Sequence, residues 1–241
     1  MAELRVLVVE HEAGAPAGWL GEELEAAGCV LDVRRPYAGD TLPGPGELEG
    51  YDGVVVLGGS VAAWDDKVAP WLPDVRTLVR LAEAIGVSTL GVCLGHQLSA
   101  MALGGEVARN PAGSTVAVVP VCWADAVGDD PLLAPLRKVA AAVHWNNDVV
   151  TTLPPGARLL ATSPDGEVQA ARLGRHVWGV QFHPEAGPAI IGHWVREGGA
   201  AFVEAGYDLD GYLDDVRSHE PALHEVCRTL AGSFVELMGT R

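Results

Sequence analysis

Nearly continuous apolar segments alternate with amphipathic ones in the first part of the chain, and this alternation constrains the fold most strongly. The segment GVVVLGG (53–59) is continuously apolar, and LRVLVVE (4–10) and VSTLGV (87–92) are mostly apolar and also predict strands. That pattern is typical of parallel strands covered on both faces. Residues 18–28 and 71–86, which lie between them, have helical periodicity. The alternation predicts βαβ units and an α/β fold, in which a doubly wound, mostly parallel sheet carries helices on both faces.

The pattern changes after about residue 114, where short strand-like segments follow each other with few helices between them. These segments are 114–125, 139–145, 157–166, 168–174 and 176–182. They predict a mixed or antiparallel extension of the sheet. Residues from about 198 to 241 again have helical periodicity. We therefore expect one domain over residues 1–241 that ends in a helical extension.

Composition excludes several classes of function. The formal net charge is −16, and lysine and arginine form no cluster, which disfavours binding to nucleic acid or to an anionic membrane. The sequence has no run of 18 apolar residues, and its first residues lack the basic and apolar regions of a secretory signal. We predict a cytoplasmic protein with no membrane or nucleic-acid partner.

The four cysteines are far apart and show no C-x-x-C spacing, so a disulfide framework or a zinc site is not expected. The histidines are scattered as well, and we predict neither a metal nor another cofactor. Cys29, Cys122 and Cys227 lie in apolar or helical segments, which predicts buried, inert thiols. Cys93 has a different setting.

Cys93 is the centre of the segment Gly91-Val92-Cys93-Leu94-Gly95, which follows a predicted strand and opens a predicted helix. G-x-C-x-G in this context has the form of a nucleophile elbow, a crowded turn in which the nucleophile adopts a strained conformation. The positive end of the helix dipole favours a thiolate there. A small residue packed in a tight turn would produce the same pattern, so the pentapeptide leaves both interpretations open.

A base and an orienting group for Cys93 come about 90 residues later in the sequence. His183 follows the predicted strand 176–182, and Glu185 comes after Pro184. Because the carboxyl ends of parallel strands line one crevice, His183 can lie near Cys93 and Glu185 can hold its imidazole in one tautomer. A lone histidine after a strand is usually a loop residue, but the His-Pro-Glu sequence beyond a βα-turn cysteine favours a catalytic role.

An oxyanion hole is predicted at the same edge of the sheet. Gly58-Gly59-Ser60 follows a predicted strand, and the backbone N–H of Leu94 adjoins the candidate nucleophile. Backbone N–H groups in such positions can stabilise a developing oxyanion. A glycine pair alone usually marks a turn, but the three features together predict a site for acyl transfer.

The segments LGVCLGHQLSA, VVLGGS and WGVQFHPE resemble the three motifs of class I (triad-type) glutamine amidotransferases. The resemblance covers most of residues 4–195 and is nearest to stand-alone members similar to the glutaminase domain of GMP synthetase. It implies a flavodoxin-like fold and an enzyme that acts on glutamine or another γ-glutamyl amide. In such an enzyme Cys93 attacks the side-chain amide, forms a γ-glutamyl thioester and releases ammonia.

The resemblance also implies a role for each site residue. His183 would move the proton and Glu185 would orient it, while the N–H groups of Gly59 and Leu94 would hold the oxyanion. Gln97, in the family's Gly-His-Gln position, would bind the glutamyl group. On residue type alone, Gln97 could equally be a polar cap on the first turn of the helix.

Two segments depart from the family pattern. Gly58-Gly59-Ser60 stands where Gly-Gly-Pro is common, and Trp145-Asn146-Asn147-Asp148 stands where Trp-His-Gly-Asp is frequent. The second departure affects partner or substrate contacts rather than the triad.

Three functions remain open from the sequence. The first is a glutamine amidotransferase or glutaminase. Because the chain has no room for a synthetase domain and no P-loop, its ammonia would go to a separate synthetase subunit as partner. A γ-glutamyl peptidase or hydrolase that acts on a larger γ-glutamyl compound is the second possibility. The third is a non-catalytic regulatory or binding subunit, against which the intact Cys-His-Glu set argues.

Overall fold

The computed structural model describes residues 3–240, which form twelve strands and seven α-helices. The strands are β1 (Arg5–Val9), β2 (Val30–Arg34), β3 (Gly53–Val56), β4 (Ser88–Val92), β5 (Glu106–Arg109), β6 (Thr115–Pro120), β7 (Cys122–Trp123), β8 (Ala141–Asn146), β9 (Asp148–Thr152), β10 (Arg158–Thr162), β11 (Val168–Arg172) and β12 (Val177–Val180). The helices are α1 (Gly18–Ala26), α2 (Pro45–Leu48), α3 (Leu72–Ile85), α4 (Leu94–Ala102), α5 (Pro188–Gly198), α6 (Ala200–Glu204) and α7 (Leu209–Met238).

Eight of these strands form one central sheet in the order β2-β1-β3-β4-β12-β11-β10-β7. The first five are parallel, and β11, β10 and β7 continue the sheet with antiparallel pairing. The chain moves outward from β1 to β2 and then returns to build β3 and β4 on the other side. The predicted mostly parallel sheet with an antiparallel extension is confirmed, and its carboxyl edge is the place where such folds position their sites.

The middle strands do not all join this sheet. β6 pairs only with β8 in an antiparallel ladder, and β5 pairs with β9 in another. Both two-stranded units lie outside the central sheet, whereas the sequence pattern predicted one continuous extension. The β6–β8 unit is nevertheless important for the site, because β8 contacts the loop that follows β12.

Alternate residues of each central strand face opposite layers of helices. Val6 and Val8 of β1 belong to an apolar cluster that includes residues of α1 and α7, and Leu7 and Val9 belong to a second cluster with α3 and α4. All four side chains are fully buried. This two-sided burial explains why the strands are apolar at consecutive positions. The predicted helices on both faces are therefore confirmed.

Helical structure in the last part of the chain begins at Pro188, whose fixed φ angle suits the first turn of a helix. The expected start of the extension, at about residue 198, coincides with the break between α5 and α6. α7 packs on α1 and on the β6–β8 ladder. The single-domain prediction for 1–241 also includes Met1, Ala2 and Arg241, which lie outside the described residues.

Cys29 and Cys227 are buried as predicted, but Cys122 is exposed, so the prediction of a buried thiol was wrong at that position. Cys122 lies in β7, a two-residue strand at the edge of the sheet, and no further strand covers it. Within residues 3–240 no three His, Cys, Asp or Glu side chains come together in a way that could hold a metal ion. None of the helices in that range has the length and apolarity needed to cross a membrane.

Candidate active site

Cys93 occupies a sharp turn between β4 and α4. Its φ and ψ angles are 50° and −105°, and it is the one non-glycine residue with positive φ in the described range 3–240. The backbone N–H of Cys93 donates to the carbonyl of Val180 at 2.8 Å, which ties the turn to the end of β12. A non-glycine residue in such a conformation is strained, and strain of this kind is concentrated at functional sites.

The glycines on either side of Cys93 allow the backbone to pass close to its neighbours. A methyl group on Gly91 would overlap the backbone of Gly95, and one on Gly95 would overlap the carbonyl oxygen of Val56 in β3. Gly95 N–H also donates to the carbonyl of Leu57 at 3.1 Å. The crowding that the elbow pattern predicts is therefore present in the backbone itself.

His183 and Glu185 lie on the loop after β12 and are almost fully buried, with 5% and 1% of their surface exposed. The His183 backbone N–H donates to the carbonyl of Val143 in β8 at 2.9 Å. In the side chains, Nδ1 of His183 is 2.7 Å from Oε1 of Glu185. The carboxylate therefore keeps a proton on Nδ1 and leaves Nε2 for chemistry, and Nε2 has no hydrogen-bond partner among residues 3–240.

Electrostatics favour a protonated His183. Burial acts to lower its pKa, but the negative charges of Cys93 and Glu185 and the hydrogen bond to Glu185 raise that pKa well above its usual value. The backbone of Gly58 lies against both side chains, since a methyl group there would be 3.1 Å from Cε1 of His183 and 3.7 Å from Cβ of Cys93. The arrangement supports a thiolate–imidazolium pair.

The loop that carries Gly59 is fastened to the loop after β1. Ser60 donates its backbone N–H to Oε2 of Glu12 at 3.1 Å and its hydroxyl to the same oxygen at 2.5 Å. A methyl group on Gly59 would be 2.9 Å from Cβ of His11 and 3.0 Å from Cδ2 of Leu94. Two hydrogen bonds to Glu12 thus restrain Ser60, the residue that departs from the Gly-Gly-Pro pattern.

The side chain of Gln97 does not cap the first turn of α4. Its Nε2 donates to the carbonyl of Asp148 at 2.9 Å and to Oε1 of Gln181 at 3.2 Å. Nε2 of Gln181 is in turn 3.4 Å from Sγ of Cys93. Sequence reasoning missed Gln181, although a polar residue inside the apolar segment VWGVQF was a usable signal.

These residues share a cavity of about 420 Å³ at the carboxyl edge of the sheet. Its wall includes Glu12, Gly59, Ser60, Cys93, Gln97, Arg109, Trp145, Asn147, Asp148, His183, Trp194, Glu197 and Phe202. The loops after β3, β4 and β12 therefore meet there, as predicted, and the loop after β1 joins them. The Trp-Asn-Asn-Asp segment lies in the wall. At its rim Arg109 forms an ion pair with Asp148, at 3.0 Å.

Helices α5 and α6 cover one side of the cavity. Trp194 donates its indole N–H to the carbonyl of Gly14 at 2.7 Å, and its ring lies edge-on to His183 with the centroids 4.8 Å apart. Trp145 contacts Trp194 and Phe202 edge to face. Sequence reasoning missed Trp194 and Phe202, because nothing in the helical pattern shows which face of α5 and α6 lines the site.

The model of the class I glutamine amidotransferase family matches residues 18–195, most of the chain. The chain belongs to this family. The family predicted from the three motifs is thereby confirmed.

Two curated relatives show the range of named activities within this glutamine amidotransferase family. The chain is 38% identical over 144 residues to one subunit of the glutamine-hydrolysing GMP synthase of Sulfolobus acidocaldarius, a match that covers 58% of this chain and 70% of the relative. It is 30% identical over 162 residues to gamma-glutamyl peptidase 5 of Arabidopsis thaliana, or 66% of this chain and 63% of that protein. Family members are thus glutamine-hydrolysing enzymes or peptidases.

Among solved structures, a glutamine amidotransferase from Thermotoga maritima has the same fold. The two chains superpose with a TM-score of 0.86 at 24% sequence identity, over 98% of this chain and 100% of the other.

Proposed function

We propose that the protein hydrolyses the amide bond of a γ-glutamyl compound, with Cys93 as nucleophile, His183 as acid and base and Glu185 as the group that orients the imidazole. The main support is that Cys93, in its strained turn, and His183, hydrogen-bonded to Glu185, line the same cavity. The fold alone would not justify it, because folds host many functions.

In the first half of the reaction the Cys93 thiolate attacks the amide carbon of the γ-glutamyl group. The tetrahedral intermediate collapses when His183 gives its proton to the nitrogen, so that the C–N bond breaks and ammonia leaves from glutamine. In the second half His183 takes a proton from water, and the hydroxide attacks the thioester carbonyl. The C–S bond then breaks, which releases glutamate and regenerates Cys93.

Backbone and amide groups complete the proposed site. The N–H of Gly59 and that of Leu94, the first residue of α4, would face the oxyanion, since the first N–H groups of a helix have no partner inside it. Gln97 uses both amide hydrogens on protein acceptors, so its carbonyl oxygen is the atom that remains for a ligand. That oxygen suits the ammonium group of the glutamyl moiety.

With glutamine as substrate, we propose that the released ammonia passes to a separate synthetase subunit. The relative from Sulfolobus acidocaldarius, which is named as one subunit of a glutamine-hydrolysing synthase, supports this arrangement.

A γ-glutamyl peptidase is the second candidate, and the extent of the cavity favours it. The wall continues beyond His183 through Trp194 and Trp145 to Phe202, which leaves room for a leaving group larger than ammonia. Two curated relatives from Arabidopsis thaliana are named gamma-glutamyl peptidases.

Release of glutamate from glutamine and from γ-glutamyl dipeptides, by the wild type and by Cys93→Ala, tests the proposal. Cys93-dependent release from either substrate supports it, and the ratio of the two kcat/KM values decides between the candidates. If neither substrate reacts, and a glutamine analogue with a diazoketone in place of the amide does not label Cys93, the proposal fails.

Phe202→Ala separates the two candidates further. If dipeptides are the substrates, loss of the Phe202 contact lowers their kcat/KM about 10-fold and leaves that of glutamine within about 2-fold. Equal effects on both substrates would contradict a leaving-group site at Phe202.

A further inference from the structure

Gln181 lies between β12 and the His183 loop, and its side chain is fully buried. Its Nε2 points at the sulfur of Cys93 from 3.4 Å, a hydrogen-bond distance for a sulfur acceptor. The proposed reaction gives this contact no role, and Gln181 itself does not line the substrate cavity.

The orientation of the Gln181 amide is fixed by its neighbours. Its Oε1 accepts from Gln97, and the second hydrogen of Gln97 goes to the carbonyl of Asp148. The backbone N–H of Gln181 donates to Gln169 in β11 at 2.9 Å. A rotated amide would place its oxygen against the sulfur and its nitrogen against the NH₂ group of Gln97. Only the observed orientation satisfies both contacts, and it presents a donor to Cys93.

We propose that Gln181 is a further catalytic residue, whose side-chain N–H donates to the Cys93 sulfur and holds it as a thiolate aimed into the cavity. A hydrogen bond to a charged group is stronger than one between neutral groups, and it matters most where water is excluded. Cys93 is only 6% exposed, so protein donors must replace the water that would otherwise solvate its charge.

Gln181 and His183 have different roles at the Cys93 sulfur. His183 supplies a positive charge and exchanges a proton in each half-reaction, whereas a neutral amide does not titrate. The Gln181 donor is therefore available throughout the cycle, both when the thiolate attacks and when the thioester breaks and the sulfur must leave as an anion. Its importance for turnover rests on the proposed function, but its effect on the free thiolate does not.

The test is the rate at which iodoacetamide alkylates Cys93 as a function of pH, in a Cys122→Ser background because Cys122 is exposed. Gln181→Met keeps the length of the side chain and removes the donor. We expect the pH of half-maximal rate to rise by about one unit. The matched control is Gln169→Met, because Gln169 is equally buried and its side-chain amide has no hydrogen-bond partner within residues 3–240. That substitution should leave the profile unchanged.

Gln97→Met provides a second, milder variant, which keeps the Gln181 donor but removes the group that orients it. We expect a smaller shift in the same direction, and thermal unfolding will show whether each variant is folded. An unchanged profile in folded Gln181→Met, or an equal shift in Gln169→Met, overturns the proposal. If Gln181→Met does not fold, the profile of Gln97→Met decides.

Alkylation and hydrolysis also separate this inference from the proposed function. If the wild type hydrolyses no γ-glutamyl amide but the alkylation profile shifts as expected, the proposed function fails and the assignment of Gln181 as the thiolate's donor stands. If hydrolysis depends on Cys93 and the alkylation profile does not shift, the proposed function stands and the assignment of Gln181 fails.

Discussion

At the scale of single residues, the charge of Glu185 governs the protonation of its partner. The carboxylate is 1% exposed and 2.7 Å from Nδ1 of His183, and it is one of the groups that raise the pKa of that imidazole. A neutral amide at position 185 would keep the volume and lose the charge. The imidazolium would then be favoured by Cys93 alone.

Glu185→Gln is therefore expected to lower kcat about 100-fold or more, since a positioned acid–base group contributes on that scale. The alkaline limb of the pH–rate profile should also move to lower pH, because it reports deprotonation of His183. The measurement is glutamate release as a function of pH. Glu225→Gln, at an exposed carboxylate on α7, is the control and should match the wild type. An unshifted alkaline limb in Glu185→Gln would contradict the assigned role.

The sequence could predict those site residues that stand in short, local motifs. Cys93, with its flanking glycines, and the His183–Glu185 pair stand in short motifs, and parallel strands bring their ends to one edge regardless of detail. Gln181 and Glu12 act through side-chain contacts with residues distant in the sequence. Those contacts depend on rotamers and loop paths, which no periodicity encodes.

At the scale of elements, the approach of α4 to β3 sets the position of the elbow. A side chain on Gly95 would collide with the Val56 carbonyl, a backbone atom that cannot rotate away. Gly232, in contrast, lies within α7 with nothing within 4 Å of a methyl group placed on it. The same Gly→Ala change should therefore have opposite effects at the two sites.

Gly95→Ala should destabilise the protein by about 3 kcal/mol or more, as expected for backbone overlap in a packed core, and should abolish labelling of Cys93 by the diazoketone. Gly232→Ala should raise the free energy of unfolding by up to about 1 kcal/mol, because alanine is the better helix former. Urea unfolding of both variants measures the difference. A Gly95→Ala protein as stable as the wild type would show that α4 does not touch β3 as described.

Strands with a strong apolar pattern could be predicted from the sequence, and strands with a weak pattern could not. The continuous apolar strands of the central sheet were predictable because burial on both faces leaves a strong signal. β5 and β9, with the sequences EVAR and DVVTT, were missed, since they mix polar and apolar residues in four or five positions. The separate β6–β8 ladder was predicted as strands but not as a separate pair, because strand pairing depends on tertiary contacts that the sequence pattern does not contain.

At the scale of the whole molecule, three buried histidines link stability to pH. Burial lowers the pKa of His11 and His144 to about 4 and that of His96 to about 3, and a further decrease for His144 comes from His183. All three are at most 3% exposed. Each is neutral in the folded protein near neutral pH, and both ring nitrogens of His96 lack a hydrogen-bond partner in the described chain.

The sign of the effect follows from proton binding. Below about pH 6.5 the unfolded chain protonates its histidines, whereas the folded state does not bind these three protons until about pH 4 or lower. The unfolded state thus binds more protons in that window, and stability falls as the pH falls. His183 has the opposite sign, because its raised pKa gives stability that is present below about 6.5 and lost as the pH rises through the folded value.

The free energy of unfolding should therefore be highest near neutral pH and fall steeply toward pH 5. Each buried histidine contributes a loss of about 2 kcal/mol at about pH 5, so the three together approach the ~5–15 kcal/mol that holds a typical domain folded. Urea unfolding at about pH 7.5 and about pH 5 measures this loss. His96→Gln should reduce it by about 2 kcal/mol, whereas substitution of the exposed His219 by glutamine should not change it. Equal losses in the wild type and His96→Gln would show that the buried imidazole accepts a proton without cost. The acid sensitivity would then have to arise from the carboxylates at the surface.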